Sequence, residues 1–224
     1  MDWFGPVARY VLEDGLPGTI HVAAIAVVGS SLIGIVLGTL MTVDSRPLRG
    51  LIRVYVEVFR GLPILVTVFV VFFGLPAVSP QLEFSALNAA GIALVLWGSA
   101  QVAEATRGAV GSIPREQHEA AAALGFGWLG RHVYVIVPQA VRRLLPPYVS
   151  LVVNIVQNTT LAAVIGGLET LAGGQRQSER ITAQPPIGLG EIKAFQIFGF
   201  VALVFFAISF PLTRLSAYLE KRLL

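Results

Sequence analysis

In a chain of 224 residues, 55% are hydrophobic and 13% charged, against about 25% charged in ordinary globular domains, which excludes a conventional soluble fold. A net charge of +3 does not call for a nucleic-acid partner, because membrane proteins gather Lys and Arg on one side for topological reasons. Cysteine is absent, so disulfides and thiolate metal sites are excluded.

The opening residues carry Asp2, Glu13 and Asp14 where a signal peptide has a basic region, so no cleaved leader is expected. Several apolar runs then reach the roughly 20 residues that a helix needs to cross hydrocarbon. They lack the alternation of barrel strands, and an all-α membrane protein follows. The first span is read over about Thr19 to Val43, where Ser30, Gly34 and Gly38 recur every fourth residue. That small-residue spacing lets backbones approach closely, and it fits a dimer seam or packing inside one chain. The second span, about Leu62 to Val78, follows Arg60-Gly61-Leu62-Pro63, where Gly and Pro should break or kink the helix. A third runs from about Phe84 to Thr106, a fourth from about Pro147 to Ala172, and a fifth from about Ala194 to Tyr218.

Five spans put the termini on opposite sides. Arg46, Arg49, Arg53, Arg107, Arg115, Arg131, Arg142, Arg143, Lys221 and Arg222 fall on one side, and Arg9, Arg176, Arg180 and Lys193 on the other. The larger set marks the cytoplasm, so the N-terminus is expected outside and the C-terminus inside. The three histidines, His21, His118 and His132, show none of the pairing of a zinc helix, and no metal site is expected.

Between the third and fourth spans, residues 108–146 form a connection of about 40 residues, long enough to imply a function of its own. Pro114 is placed to start a helix, Gly125 and Gly127 to stop it, and a second helix is expected from Trp128 to near Pro138. Within this hairpin, Glu119-Ala120-Ala121 followed by Gly125, Phe126 and Val137-Pro138 resembles the EAA loop of permease subunits of bacterial ABC importers. Four more segments resemble the polar amino acid branch of that family, which serves histidine, arginine, glutamine or glutamate. They are Gly15 to Thr19, Tyr55 to Pro63, Ala103 to Gly108 and Gln157 to Gly166. Leu62 and Gln157 depart from the family's frequent Thr and Lys.

The resemblance implies a type I ABC importer permease fold over a single transmembrane domain, 1–224, placed multi-pass in the cytoplasmic membrane. It implies that Glu119, Ala120, Ala121, Gly125 and Phe126 couple the chain to a separate ABC ATPase, where ATP and Mg are bound. The other implied partners are a second permease subunit, alike or a sibling, an extracytoplasmic solute-binding protein, and a polar amino acid as substrate. No cofactor is expected in this chain, which has no phosphate loop of the G-x-x-x-x-G-K-[ST] type and is read as a transporter subunit, not an enzyme.

Candidate pathway residues follow from the cost of polarity in lipid. Glu104, near the inner end of the third span, either serves the substrate path or forms an i, i+3 ion pair with Arg107. Asn158, Thr159 and Thr160 suit a zwitterion that needs hydrogen bonds at both ends, or else they join helices. The Arg60, Gly61, Leu62, Pro63 break either shapes the bundle or exposes backbone to a cavity. An ion-driven transporter would use Glu104 but leaves the hairpin idle. A membrane enzyme finds no nucleophile elbow and no clustered His and carboxylates.

Overall fold

The structure, a computed structural model, describes residues 3–183 and 190–223. Among them it is built of helices joined by turns, with no strand. Helix α1 (Phe4–Tyr10) runs through a π-helical turn (Val11–Gly15) into α2 (Leu16–Leu40). Helix α3 (Arg46–Gly61) is followed by α4 (Ile64–Phe69), a second π turn (Val70–Gly74), α5 (Leu75–Val78) and a 3-10 turn (Pro80–Leu82). Helix α6 (Ala86–Gly111) leads to α7 (Arg115–Ala123), α8 (Trp128–Arg131), a third π turn (His132–Ile136) and α9 (Val137–Asn158). Short α10 (Leu161–Val164), then α11 (Thr170–Thr182) and α12 (Gly190–Leu223), complete the described chain.

Three stretches are long and apolar enough to cross a membrane: Phe4–Leu40, Ala86–Gly111 and Lys193–Leu223. Arg46–Gly61 with Ile64–Val78 makes a fourth if the broken pair counts as one span. The expected break is real: Leu62 and Pro63 are extended, with ψ of 139° and 132°, and the ring of Pro63 denies Leu62 the helical region. The first helical stretch starts some fifteen residues earlier than the sequence suggests, because α1 and the π turn continue into α2.

The fourth expected span, about Pro147 to Ala172, is not one helix. Helix α9 ends at Asn158, the chain turns at Thr159 and Thr160, and a second break follows α10, with Gly166 at φ +83°. Against the five spans expected, the described residues thus give three such stretches, or four with the broken pair, and polar side chains after Val156 bond back to their own turn and unwind it. The second hairpin helix does not stop near Pro138 either. Val137 N donates to the His132 carbonyl, closing the π turn, and Pro138 then stands in the first turn of α9, where a missing N–H costs nothing.

The chain divides into two compact units, Met1–Val27 with Pro63–Val95 and Asn154–Pro211, and Val28–Leu62 with Leu96–Val153 and Leu212–Leu224. In the first unit, α2 presses on the segment before α11. A Cβ on Gly18 would lie 2.0 Å from the Leu168 carbonyl oxygen, so only glycine permits this approach. In the second unit, a Cβ on Gly34 would lie 2.5 Å from the Val102 Cβ, and one on Gly38 2.4 Å from the Ala103 carbonyl oxygen. The small-residue stripe of α2 thus seats α6 of the same chain.

Two apolar clusters hold the second unit. Met41, Ile52, Val56 and Ala103 form one, and Ala109, Val110, Ile113, Ile136 and Ala140 the other. Pro146 and Pro147 lie inside α9 and withhold two backbone donors. The Pro146 carbonyl accepts from Ser216 Oγ of α12 at 2.8 Å, and Ser150 and Ser216 hydroxyls meet at 3.0 Å. Ile20, Val28, Leu32 and Val36 of α2 stay exposed, a liability in water and the expected outer surface in lipid.

Candidate functional site

The hairpin is built as the sequence predicts over its first helix. Helix α7 ends in a Schellman motif: Phe126 N donates to Ala121 O at 3.1 Å and Gly125 N to Ala122 O at 2.9 Å, with Gly125 at φ +82°. A residue with a Cβ pays for that left-handed conformation, which explains the glycine. Glu119 and Ala120 are exposed, and Glu119 Oε1 accepts from Arg115 Nε at 2.9 Å. Ala121 is buried, whereas Leu124, Phe126 and Leu129 stand out of the turn. Gln139 Nε2 donates to Gln117 Oε1 at 3.3 Å, tying α7 to α9. An exposed apolar tip on a braced helix pair is a surface suited to insertion in a groove of another protein.

Glu104 sits within the same unit on α6, which runs on past it to Gly111. Its carboxylate accepts from Arg107 Nη2 at 2.6 Å and Nε at 2.9 Å, the bidentate i, i+3 pair foreseen as one alternative. Arg60 adds a third cationic contact, Nη1 to Glu104 Oε1 at 3.9 Å, and its Nε donates to Gln101 Oε1 at 3.3 Å. The residue just before the helix break is therefore gathered with Glu104, a pairing that spacing alone did not reveal. Gly61 and Leu62 beside it are exposed.

In the first unit, Asn158, Thr159 and Thr160 turn inward on their own chain. Asn158 Nδ2 donates to Asn154 O at 2.7 Å, Thr159 Oγ1 to Val156 O at 2.7 Å, and Thr160 Oγ1 to Gln157 O at 2.9 Å. Thr159 is fully buried, and Asn158 and Thr160 are half-buried. These bonds occupy donors, so the oxygens of the half-buried Asn158 and Thr160 keep acceptor capacity, whereas Thr159 is closed off by burial.

One polar cluster escaped the sequence. Glu169 is fully buried and caps α11, accepting from Ala172 N at 2.8 Å and Leu171 N at 2.9 Å. Thr19 Oγ1 lies 2.8 Å from Thr170 Oγ1 and accepts from Thr170 N at 3.1 Å. Pro63, the last residue of the break, also belongs to this unit. The signal was present: a carboxylate inside an apolar run is costly enough to demand a reason.

The chain belongs to the family of binding-protein-dependent transport system inner membrane components, whose profile matches residues 30–224. It is 35% identical over 225 residues to the probable glutamine ABC transporter permease protein GlnP of Bacillus subtilis (strain 168), covering 99% of each chain. The probable glutamine ABC transporter permease protein GlnM of the same organism is 31% identical over 210 residues, covering 94% of this chain and 92% of the relative. A solved structure described as an amino acid ABC transporter with histidines superposes with a TM-score of 0.79 at 25% identity, covering 98% of this chain and 95% of that one.

Proposed function

We propose that the chain is the membrane-spanning subunit of an ATP-binding cassette importer that carries a polar amino acid across the cytoplasmic membrane. The observation that carries this reading is the end-to-end similarity to GlnP, a probable glutamine permease, over 99% of both chains. Residues Glu119 to Phe126 form the coupling surface: the Schellman turn holds Leu124 and Phe126 outward, to seat in a separate ATPase that binds ATP and Mg. The assembly takes two ATPase subunits, a second permease subunit and an external solute-binding protein.

Charge supports the orientation with the hairpin in the cytoplasm. The unit that holds it has twelve basic residues against six acidic ones, and the other unit has four basic against seven acidic. The polar amino acid meets Arg60, Gly61, Leu62, Pro63 and Glu104, and the polar groups of Asn158, Thr159 and Thr160, along its path. At Arg60 and Glu104 the substrate must replace bonds that the chain makes to itself, which keeps holding weak enough for release.

The test is uptake and ATP hydrolysis by the reconstituted complex carrying Gly125→Pro or Glu119→Lys. Both variants should insert in the membrane yet hydrolyse ATP without moving substrate. Wild-type uptake in both would overturn the coupling role.

A further inference from the structure

A cavity of about 490 Å³ in the second unit is surrounded by cationic side chains. Arg49 and Arg53 reach it from α3, Arg107 from α6, and His118, Arg131 and His132 from α7, α8 and the wide turn that follows. Asp44 is the single carboxylate among the described residues that line it. Three of the arginines have acidic company: Arg107 with Glu104 at 2.6 Å, Arg53 with Glu57 at 2.9 Å, and Arg49 loosely with Asp44 at 4.0 Å. Arg131 has no ion pair among the described residues, and its Nε is buried without a hydrogen-bond partner.

A buried guanidinium N–H that finds no acceptor is costly, so an acceptor is called for here. The surroundings agree. Burial, and then the charges of Arg131 and His132, hold His118 below the ordinary histidine value. His132 Nδ1 lies 2.8 Å from the Trp128 carbonyl oxygen and donates to it, while its ring stacks on Trp128 at 4.1 Å between centres, which fixes the imidazole in place. Several fork-shaped donors converging on one space suit an anion with three or more oxygens better than a lone carboxylate. Met41 and Val110 add an apolar part to the lining.

We propose that this cavity binds a phosphate group, carried on an anionic phospholipid headgroup or free in solution. Basic pockets among membrane helices take such headgroups. The cavity borders the coupling hairpin through His118 and Trp128 and the Glu104 pair through Arg107, and Arg131 and Arg49 belong to neither.

The full-length chain, purified in maltoside detergent, tests this through binding alone, so the outcome does not depend on the transport reading. Phosphatidylglycerol and phosphatidylcholine are offered as competing lipids and read by native mass spectrometry, and inorganic phosphate is titrated by calorimetry. Retention of phosphatidylglycerol over phosphatidylcholine identifies the lipid source, and saturable binding of inorganic phosphate identifies the free one. In either case Arg131→Gln and Arg49→Gln should each weaken binding about tenfold, the worth of one charge-assisted hydrogen bond, while Arg180→Gln in the other unit leaves it unchanged. Wild-type chain that binds neither probe overturns the proposal. So does binding that survives both substitutions.

Discussion

Replacing Gly38 with alanine puts one methyl group where α2 and α6 have no room for it. The added Cβ would lie 2.4 Å from the Ala103 carbonyl oxygen and 2.6 Å from the Thr106 Cβ. The oxygen is backbone, so no rotamer change relieves the contact, and α2 must back away along a seam that also includes Gly34 against Val102. Overpacking of this kind costs about 1 to 3 kcal/mol. Alanine returns up to about 1 kcal/mol of helix propensity. Because the 2.4 Å contact is with backbone, the upper part of that range, about 2 to 3 kcal/mol, applies, and the net loss is about 1 to 2 kcal/mol, or a fall of roughly 2 to 8 °C in thermal midpoint for a chain of this size. Gly50→Ala is the control, because a Cβ there meets nothing within 4 Å on the exposed face of α3, and its midpoint should hold or rise. Both variants are melted in one detergent at one scan rate by tryptophan fluorescence. A Gly38→Ala chain that melts with the wild type, or a Gly50→Ala chain that loses as much, would refute the close-approach reasoning.

Glu169→Ala strips α11 of its cap and should cost about 1 to 2 kcal/mol, read as a lower thermal midpoint and faster hydrogen exchange at Leu171 and Ala172. Glu104→Gln should change uptake while ATPase association stays normal, and its effect on stability should stay below about 1 kcal/mol because the pair is partly exposed. Unchanged affinity and rate of uptake would reduce Glu104 to an ion pair alone. For His118, whose folded value lies below 6.5, the sign is set by the unfolded chain binding the proton first. Stability should therefore fall as pH drops from about 7.5 to about 5.5, and His118→Gln should flatten that part of the dependence, read by the thermal midpoint.

Much of this was legible wherever a residue's local chemistry decides the backbone. Gly61 and Pro63 break the second span, Gly125 takes a positive φ, and the Ser30, Gly34, Gly38 stripe is buried against a helix, although spacing alone left open which helix. Apolar length misled at the fourth span, because Leu, Ile, Val and Ala prevail from Pro147 to Ala172 despite the polar run from Asn154 to Thr160. Thr159 and Thr160, by bonding to the carbonyls three residues back, and Gly166, by its positive φ, override that content. Glu169 and Thr19 are 150 positions apart, so their meeting depended on the tertiary fold. Pro138 reads as a stop because proline breaks a helix interior, and the π turn that precedes it is not marked by any residue type.

That wide turn, like those at Val11–Gly15 and Val70–Gly74, accommodates one residue more than a regular helix would. A shortened chain lacking Tyr134 would tighten the coil there into ordinary α geometry and leave the remainder of α9 facing as before, whereas the loss of a residue from the middle of α2 would swing every later side chain about 100° around the axis. The three loose turns are thus places where the chain's length is adjustable without rewriting its faces.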